Sequence, residues 1–270
     1  MLFRMTLRPI TPHTKLRLGD DDARPPGHAP SDDELEHAIH RQSERIARLQ
    51  RVFYADARYA LLIVLQGRDA AGKDGTIRHV FGAVNPQGCE VTSFKQPTDL
   101  EQRHDYLWRV HQRVPARGMI GIFNRSHYED VLVERVRRLV PRKVWHDRYR
   151  QINDFERMLA ENGVVILKFF LHVSRAEQRR RLADRLTDPT KNWKFNAGDL
   201  EDRRRWGAFT SAYRDALRNC ATSWAPWYLV PADDKKVRNW LVAGVILETL
   251  EGLGLRYPKG DPSILRLKIR

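Results

Sequence analysis

The stretch LLIVLQGRDAAGKDGTIRHVFGAV, residues 61–84, decides the fold. Its opening run, LLIVL (61–65), is continuously apolar, as in a strand buried on both faces of a parallel sheet. QGRDAAGKDG (66–75) then places Gly67, Gly72 and Lys73 at the G-x-x-x-x-G-K spacing of a phosphate-gripping loop. GTIRHVFGAV after it reads as a helix. That order matters, because amide N–H groups of the turn and the helix N-terminus then converge on one phosphate, with Lys73 supplying fixed positive charge. One position departs from the pattern. Asp74 stands where a Ser or Thr hydroxyl would help hold Mg²⁺, and a second acid, Asp69, lies inside the loop.

Four further apolar runs follow: EVTSF (90–94), MIGIF (119–123), VVILKFFL (164–171) and WYLVP (227–231). The lengths between them suit right-handed β-α-β crossovers, so the expectation is an α/β fold, a five-stranded parallel sheet flanked by helices. Ahead of the loop, Leu35, Ile39, Ile46, Leu49 and Phe53 recur at helical spacing, predicting an amphipathic helix to about Tyr59. Ser31 with Glu34, and Ser174 with Glu177, have the spacing of capping boxes. Residues 1–30 read as an extended arm and 31–270 as a single domain. Within that domain, 179–206 reads as a lid insertion whose middle, TDPTKNWKFNAGD, is rich in turn formers.

Lys and Arg total 48 of the 270 residues against 34 acids, a net charge of +14. The excess points to a polyanionic partner: nucleic acid, anionic lipid or a chain of phosphates. There is no membrane-spanning run and no nucleic-acid recognition motif, so the expectation is a cytoplasmic protein without a membrane or specific nucleic-acid partner. Cys89 and Cys220 match neither a zinc pattern nor a disulfide framework and read as small buried hydrophobes.

Candidate site residues gather around the loop. Gly67, Arg68, Ala70, Ala71, Gly72, Asp74 and Gly75 complete its phosphate cradle. Asp69 is the metal ligand by chemistry, since Mg²⁺ takes one or two carboxylates plus water and phosphate oxygens, and Mn²⁺ can substitute. Asp74 suits the positive end of the helix it opens. The third strand ends in Asn124, where a metal-orienting Asp is the common choice, and Arg125 beside it is a bidentate clamp for phosphoryl oxygens. Glu129 and Asp130, one turn on, either approach the site or form a solvated helix face. Lys95, Pro97 and Thr98 end the second strand, where open α/β sheets place ligands, and suit nucleotide contact. In the lid, Lys191 and Lys194 suit phosphate, and Trp193 either stacks on a base or anchors the closed lid. Arg78, Arg203, Arg204 and Arg205 are candidates for a polyphosphate channel.

GRDAAGKDGT, FKQPT, FNRSHYEDVL, LHVSRAEQRRRLADRLTDPTKNWKF and APWYLVPAD resemble, in order, the successive motifs of the polyphosphate kinase 2 family. The resemblance spans about residues 50–255 and implies a thymidylate-kinase-like P-loop kinase fold with a lid. It implies Mg²⁺-dependent, reversible transfer of the terminal phosphoryl group between inorganic polyphosphate and nucleoside mono- or diphosphates. The resemblance implies catalytic roles for Asp69, Lys73, Arg125 and Arg185, and Asn124 joins them as an amide that can orient a phosphate by hydrogen bonding. FNRS followed by YED is similar to the branch that accepts both AMP and ADP or their guanine equivalents. The first helix and the C-terminal LETLEGLGLRYPKGDPSILRLKIR offer surfaces for a homo-oligomer, dimer or tetramer. Two rival functions share the loop: an ATP-dependent nucleoside monophosphate kinase, and a basic nucleic-acid-binding protein without transfer activity.

Overall fold

The structure is a computed structural model that describes residues 7–11, 13–264 and 267. The chain runs α1 (Asp32–Asp56), β1 (Ala60–Gly67), α2 (Lys73–Phe81), β2 (Cys89–Ser93), α3 (Asp99–Gln102), α4 (Trp108–His111) and β3 (Ile120–Asn124). It continues through α5 (Glu129–Arg137), α6 (Arg142–Glu161), β4 (Val164–His172), α7 (Arg175–Thr187), α8 (Ala197–Arg204), α9 (Trp206–Asn219), β5 (Trp227–Pro231) and α10 (Lys235–Gly252). The strands form one parallel sheet in the order β2-β3-β1-β4-β5, so the loop strand is central.

Every residue of β1 is buried, and its period of two divides the core. Leu62 and Val64 pack with α5, α6 and α9, whereas Leu61, Ile63 and Leu65 pack with α1, α2 and α10. That is the P-loop kinase arrangement: a parallel sheet covered by helices on both faces.

Element boundaries differ from expectation by a few residues. Helix α1 stops at Asp56 because Ala57 is left-handed (φ 49°) and returns its N–H to Phe53 O at 3.1 Å. At the start of α1, Glu34 accepts the Ser31 N–H at 2.9 Å and its hydroxyl at 2.8 Å. At α7 the reciprocal box is only half made. Ser174 accepts the Glu177 N–H at 3.1 Å, but the Glu177 carboxylate turns to Arg180 and Arg181. The 179–206 stretch also holds more helix than its turn formers suggest, since α7 runs to Thr187 and α8 begins at Ala197. The described part of the arm buries Ile10, Leu16, Leu18 and Ala23. Ile10 N–H donates to Trp227 O at 2.7 Å, covering part of the free edge of β5. Cys220 is buried, as expected, and Cys89 is half-buried.

A buried polar cluster fixes the turn after β3. Lys168 on β4 donates to Glu156 at 2.5 Å, to the Tyr128 hydroxyl at 2.8 Å and to Cys220 O at 3.0 Å. Glu156 also accepts from Tyr128 at 2.9 Å and contacts His127 Nε2 at 3.2 Å. Gln66 on β1 donates to Ser126 Oγ at 3.0 Å. Residues 126–128 are therefore tied to β1, β4 and α6, and Arg125 precedes them. Burial pushes the Glu156 carboxyl up, but Lys168 and His127 outweigh it and hold the group below its ordinary value. A depressed carboxylate stabilises the fold above its unfolded pKa, and that share is lost as pH falls through the folded value. Lys168→Met strands a buried carboxylate and should cost about 3–5 kcal/mol in urea unfolding. A loss below about 1 kcal/mol would show that the pair is dispensable.

Candidate functional site

The loop at the carboxyl end of β1 is shaped by two close approaches. A Cβ on Gly67 would lie 2.7 Å from Leu171 O. A Cβ on Gly72, at φ 104°, would lie 2.0 Å from Arg238 Nη1. Ala70 adopts φ 62° without being glycine, a conformation that costs about 1–3 kcal/mol and persists only where its surroundings enforce it.

Those surroundings are side-chain donors on the loop carbonyls. Lys73 Nζ donates to Gly67 O at 2.7 Å and Arg68 O at 3.2 Å. Gln178 donates to Asp69 O at 3.0 Å. Arg181 reaches Ala70 O at 3.0 Å and Ala71 O at 3.2 Å, and Arg238 reaches Ala71 O at 3.3 Å. Burial, with Arg125 adding repulsion, lowers the Lys73 ammonium to about 8.

Four cations face acids around this loop. Arg125 Nη2 lies 2.5 Å from Asp69 Oδ1, with Glu129 3.9 Å from its other nitrogen. Glu129, with Asp69 behind it, holds the Arg125 guanidinium firmly charged against the effect of burial. Arg185 pairs with Asp199 at 3.1 Å. Arg137 pairs with Asp202 at 2.9 Å, and Lys194 stands 3.9 Å from Asp74. Burial and the nearby Asp69 charge push Asp199 up to about 6. A cleft of about 30 Å³ runs along Gly67, Arg68, Asp69, Arg125, Glu129 and Arg203.

Asn124 donates through Nδ2 to Asp74 Oδ1 at 2.7 Å. Asp74 thus does more than stabilise a helix end: its carboxylate joins β3, α2 and, through Lys194, the segment before α8. Arg125 itself sits at φ 63°, a second strained position in the site.

Other candidates are placed differently. Arg68 is buried, lines the cleft and has its guanidinium held against α9. It donates to Thr210 Oγ1 at 2.6 Å and stacks 3.7 Å over Trp206, which lowers its guanidinium to about 10 through burial. Arg203 reaches back to Arg175 O at 2.8 Å and Gln178 Oε1 at 2.9 Å, Arg205 pairs with Glu201, and Arg204 is exposed. The triple arginine run therefore sends its members three ways. Arg78 lies exposed on α2 beside His79. Thr98 caps α3, accepting Glu101 N–H at 3.3 Å, while Pro97 O accepts from Gln102. Lys95 is exposed, and only its carbonyl is engaged, by Arg109. Lys191 pairs with Asp188, and Trp193 is 77% exposed with Lys194 Nζ 4.9 Å from its ring.

Among the described residues no three His, Cys, Asp or Glu side chains cluster as a metal cage. A divalent ion in phosphoryl transfer takes few protein ligands and completes its shell with water and phosphate oxygens. Asp69, partly exposed on the cleft next to Glu129, fits that partial donor set.

Sequence reading missed Asp199, Gln178, Arg181 and Arg238. The SRAEQRRRLADR pattern offered a signal for Gln178 and Arg181, because both lie on the α7 face shared with buried Leu182. Nothing local marks Arg238.

Since Lys73 loses its proton near pH 8, affinity of the free protein for inorganic triphosphate should fall as pH rises from 7 to 9. Above that value the loss should approach about tenfold per pH unit. A flat calorimetric profile over this range would remove Lys73 from the phosphate site.

The family model for polyphosphate kinase 2 (PPK2) matches residues 29–255. An AMP/ADP-polyphosphate phosphotransferase of Meiothermus ruber is 55% identical over 227 residues, 84% of this chain and 85% of the relative. An ADP-polyphosphate phosphotransferase of Rhodopseudomonas palustris is 47% identical over 82% of this chain and 81% of the relative. The crystal structure of polyphosphate kinase 2 from Arthrobacter aurescens superposes with a TM-score of 0.90 at 40% identity, over 96% of this chain and 93% of that one. No helix among the described residues is long and apolar enough to cross a membrane. With its cradle on the central strand and the family pattern matched across most of its length, the chain belongs to the polyphosphate kinase 2 family of phosphotransferases.

Proposed function

We propose that this protein moves the terminal phosphoryl group of inorganic polyphosphate onto AMP and ADP. The observation that carries the reading is the convergence of the loop with Lys73, Arg125, Arg185 and Lys194 on one side of the sheet's carboxyl edge. The names of the Meiothermus and Rhodopseudomonas relatives support these substrates. Asn124 with the YED that follows supports acceptance of both a mono- and a diphosphate.

The acceptor's phosphate oxygen is already anionic at neutral pH, so the nucleophile needs no strong protein base. It attacks the terminal phosphorus, and the shortened polyphosphate leaves with the electrons of the broken P–O bond. Catalysis then rests on alignment and on screening two polyanions from each other. Loop amides and Lys73 hold the donor end, while Arg125 and Arg185 leave their acids for phosphoryl oxygens. Lys194, and with it the 179–206 stretch as a lid, closes over the transferring group. Mg²⁺, with Mn²⁺ as substitute, held at Asp69, would neutralise charge shared between the phosphates. The same reading places the protein in the cytoplasm as a homo-oligomer.

Incubation with polyphosphate, Mg²⁺ and, separately, AMP, ADP, GMP and GDP, followed by nucleotide chromatography, should give the next higher phosphates of the adenine nucleotides. Turnover with ATP as the sole donor, and none with polyphosphate, would instead identify an ATP-dependent monophosphate kinase. Salt-sensitive DNA binding without transfer would identify a nucleic-acid-binding protein. Lys73→Ala should lower kcat/KM by about 10²–10³, the loss seen when one transition-state donor is removed. Unchanged polyphosphate-dependent turnover in that variant would overturn the proposed role.

A further inference from the structure

We infer that Arg238 and Arg181, which lie behind the loop and outside the family motif around Lys73, are positioning residues that hold the phosphate cradle open. A peptide unit is rigid, so a carbonyl fixed on one side sets the direction of the following N–H on the other. Arg181 uses its whole fork for this. Nη1 takes Ala70 O and Ala71 O, Nη2 takes Ala232 O at 2.7 Å and Asp233 O at 2.8 Å, and Nε takes Glu177 at 2.7 Å. Arg238 reaches the same Ala71 O from α10, and its guanidinium is aimed by Asn239 Oδ1 at 3.2 Å from Nε and 2.9 Å from Nη2.

Glycine at 72 is favoured by its φ of 104°, and a Cβ there would also require the Arg238 guanidinium to shift. Two buried guanidiniums side by side are costly, and burial together with the Arg181 charge lowers Arg238 to about 10. Among the described residues no carboxylate bonds to Arg238; its acceptors are Ala71 O and the Asn239 amide. The arrangement is hard to explain as stability alone. Arg181 has Glu177 as counter-charge, whereas Arg238 has only neutral oxygens, so an anion held by the loop amides would add the counter-charge that Arg238 lacks. Arg181 also belongs to the helix that carries Arg185, and so joins the cradle to that arginine's position.

The inference rests on the loop being a phosphate site. Calorimetric titration with inorganic triphosphate, steady-state kinetics and thermal midpoints on the full chain separate the two. Wild-type protein that fails to bind triphosphate would sink the phosphate-site reading itself. With wild-type binding intact, Arg238→Met should weaken triphosphate about 10–100-fold and raise KM for polyphosphate. KM for the nucleotide should stay put, and Arg238→Lys should recover part of the loss. Asn239→Ala keeps every charge and only frees the guanidinium, so it decides the matter should the Met variant fail to fold. A triphosphate affinity within twofold of wild type in Asn239→Ala and Arg238→Lys, and in any folded Met variant, would overturn the inference. So would a loss that affects nucleotide and polyphosphate KM alike.

Discussion

The five carbonyls from Gly67 to Ala71 each hold a side-chain donor, and the site depends on that constraint. A glycine-rich turn left to itself has many conformations, and only some point its amides at one place. Here the donors come from three helices: Lys73 on α2, Gln178 and Arg181 on α7, and Arg238 on α10. The helices are in turn seated by the sheet, with α2 and α10 packed over Leu61, Ile63 and Leu65. Core packing is thereby converted into the direction of a few N–H groups. The strain at Ala70 is local, and Arg181, the donor on its carbonyl, lies 111 positions away.

A second constraint is charge. The chain carries +14 overall, yet three cations around the cleft face acids, Arg125 with Asp69, Arg185 with Asp199 and Lys194 with Asp74, while Lys73, Arg68 and Arg238 bond to neutral oxygens. Paired in this way, the first three avoid the mutual repulsion of a bare basic cleft and keep side-chain geometry without substrate. Binding of a polyanion is then an exchange of partners. Part of the Coulomb gain is offset by the ion pairs that open, and the remainder depends on many phosphates acting together. That logic favours a long chain of phosphates over a single small anion. Asp199 is pushed up to about 6, chiefly by burial, so its charge is disfavoured where it pairs with Arg185.

The sheet was legible because burial on both faces leaves a local mark. The apolar runs at 61–65 and at 164–171, the latter broken only by Lys168, needed no partner to be recognised. Helix ends were less legible, since Ala57 stops α1 through a left-handed turn that alanine does not advertise. Within the candidate site, loop spacing pointed to Gly67, Gly72 and Lys73, and the end of the third apolar run pointed to Asn124 and Arg125. Arg238 sits in a helix of mostly apolar residues, and its partner carbonyl is 167 positions away. Arg68 illustrates the converse, a loop arginine that spacing assigned to phosphate and packing assigned to Trp206. Such roles are fixed by which elements meet, and that is a property of the whole fold.

Asp74 and Asn124 bring these threads together. A carboxylate at the usual hydroxyl position needs a counter-donor across the cleft, and Asn124 Nδ2 provides it at 2.7 Å. A carboxylate at 124 would set two like charges in contact, stable only with a proton or a cation between them. The amide removes that requirement and leaves Asp74 charged beside Lys194. Asp69 lines the cleft paired with Arg125, while Asp74 ties the end of β3 to the start of α2 and stands 3.9 Å from Lys194. The two acids thus divide the labour: one lines the cleft against Arg125, and the other joins β3 to α2 through Asn124.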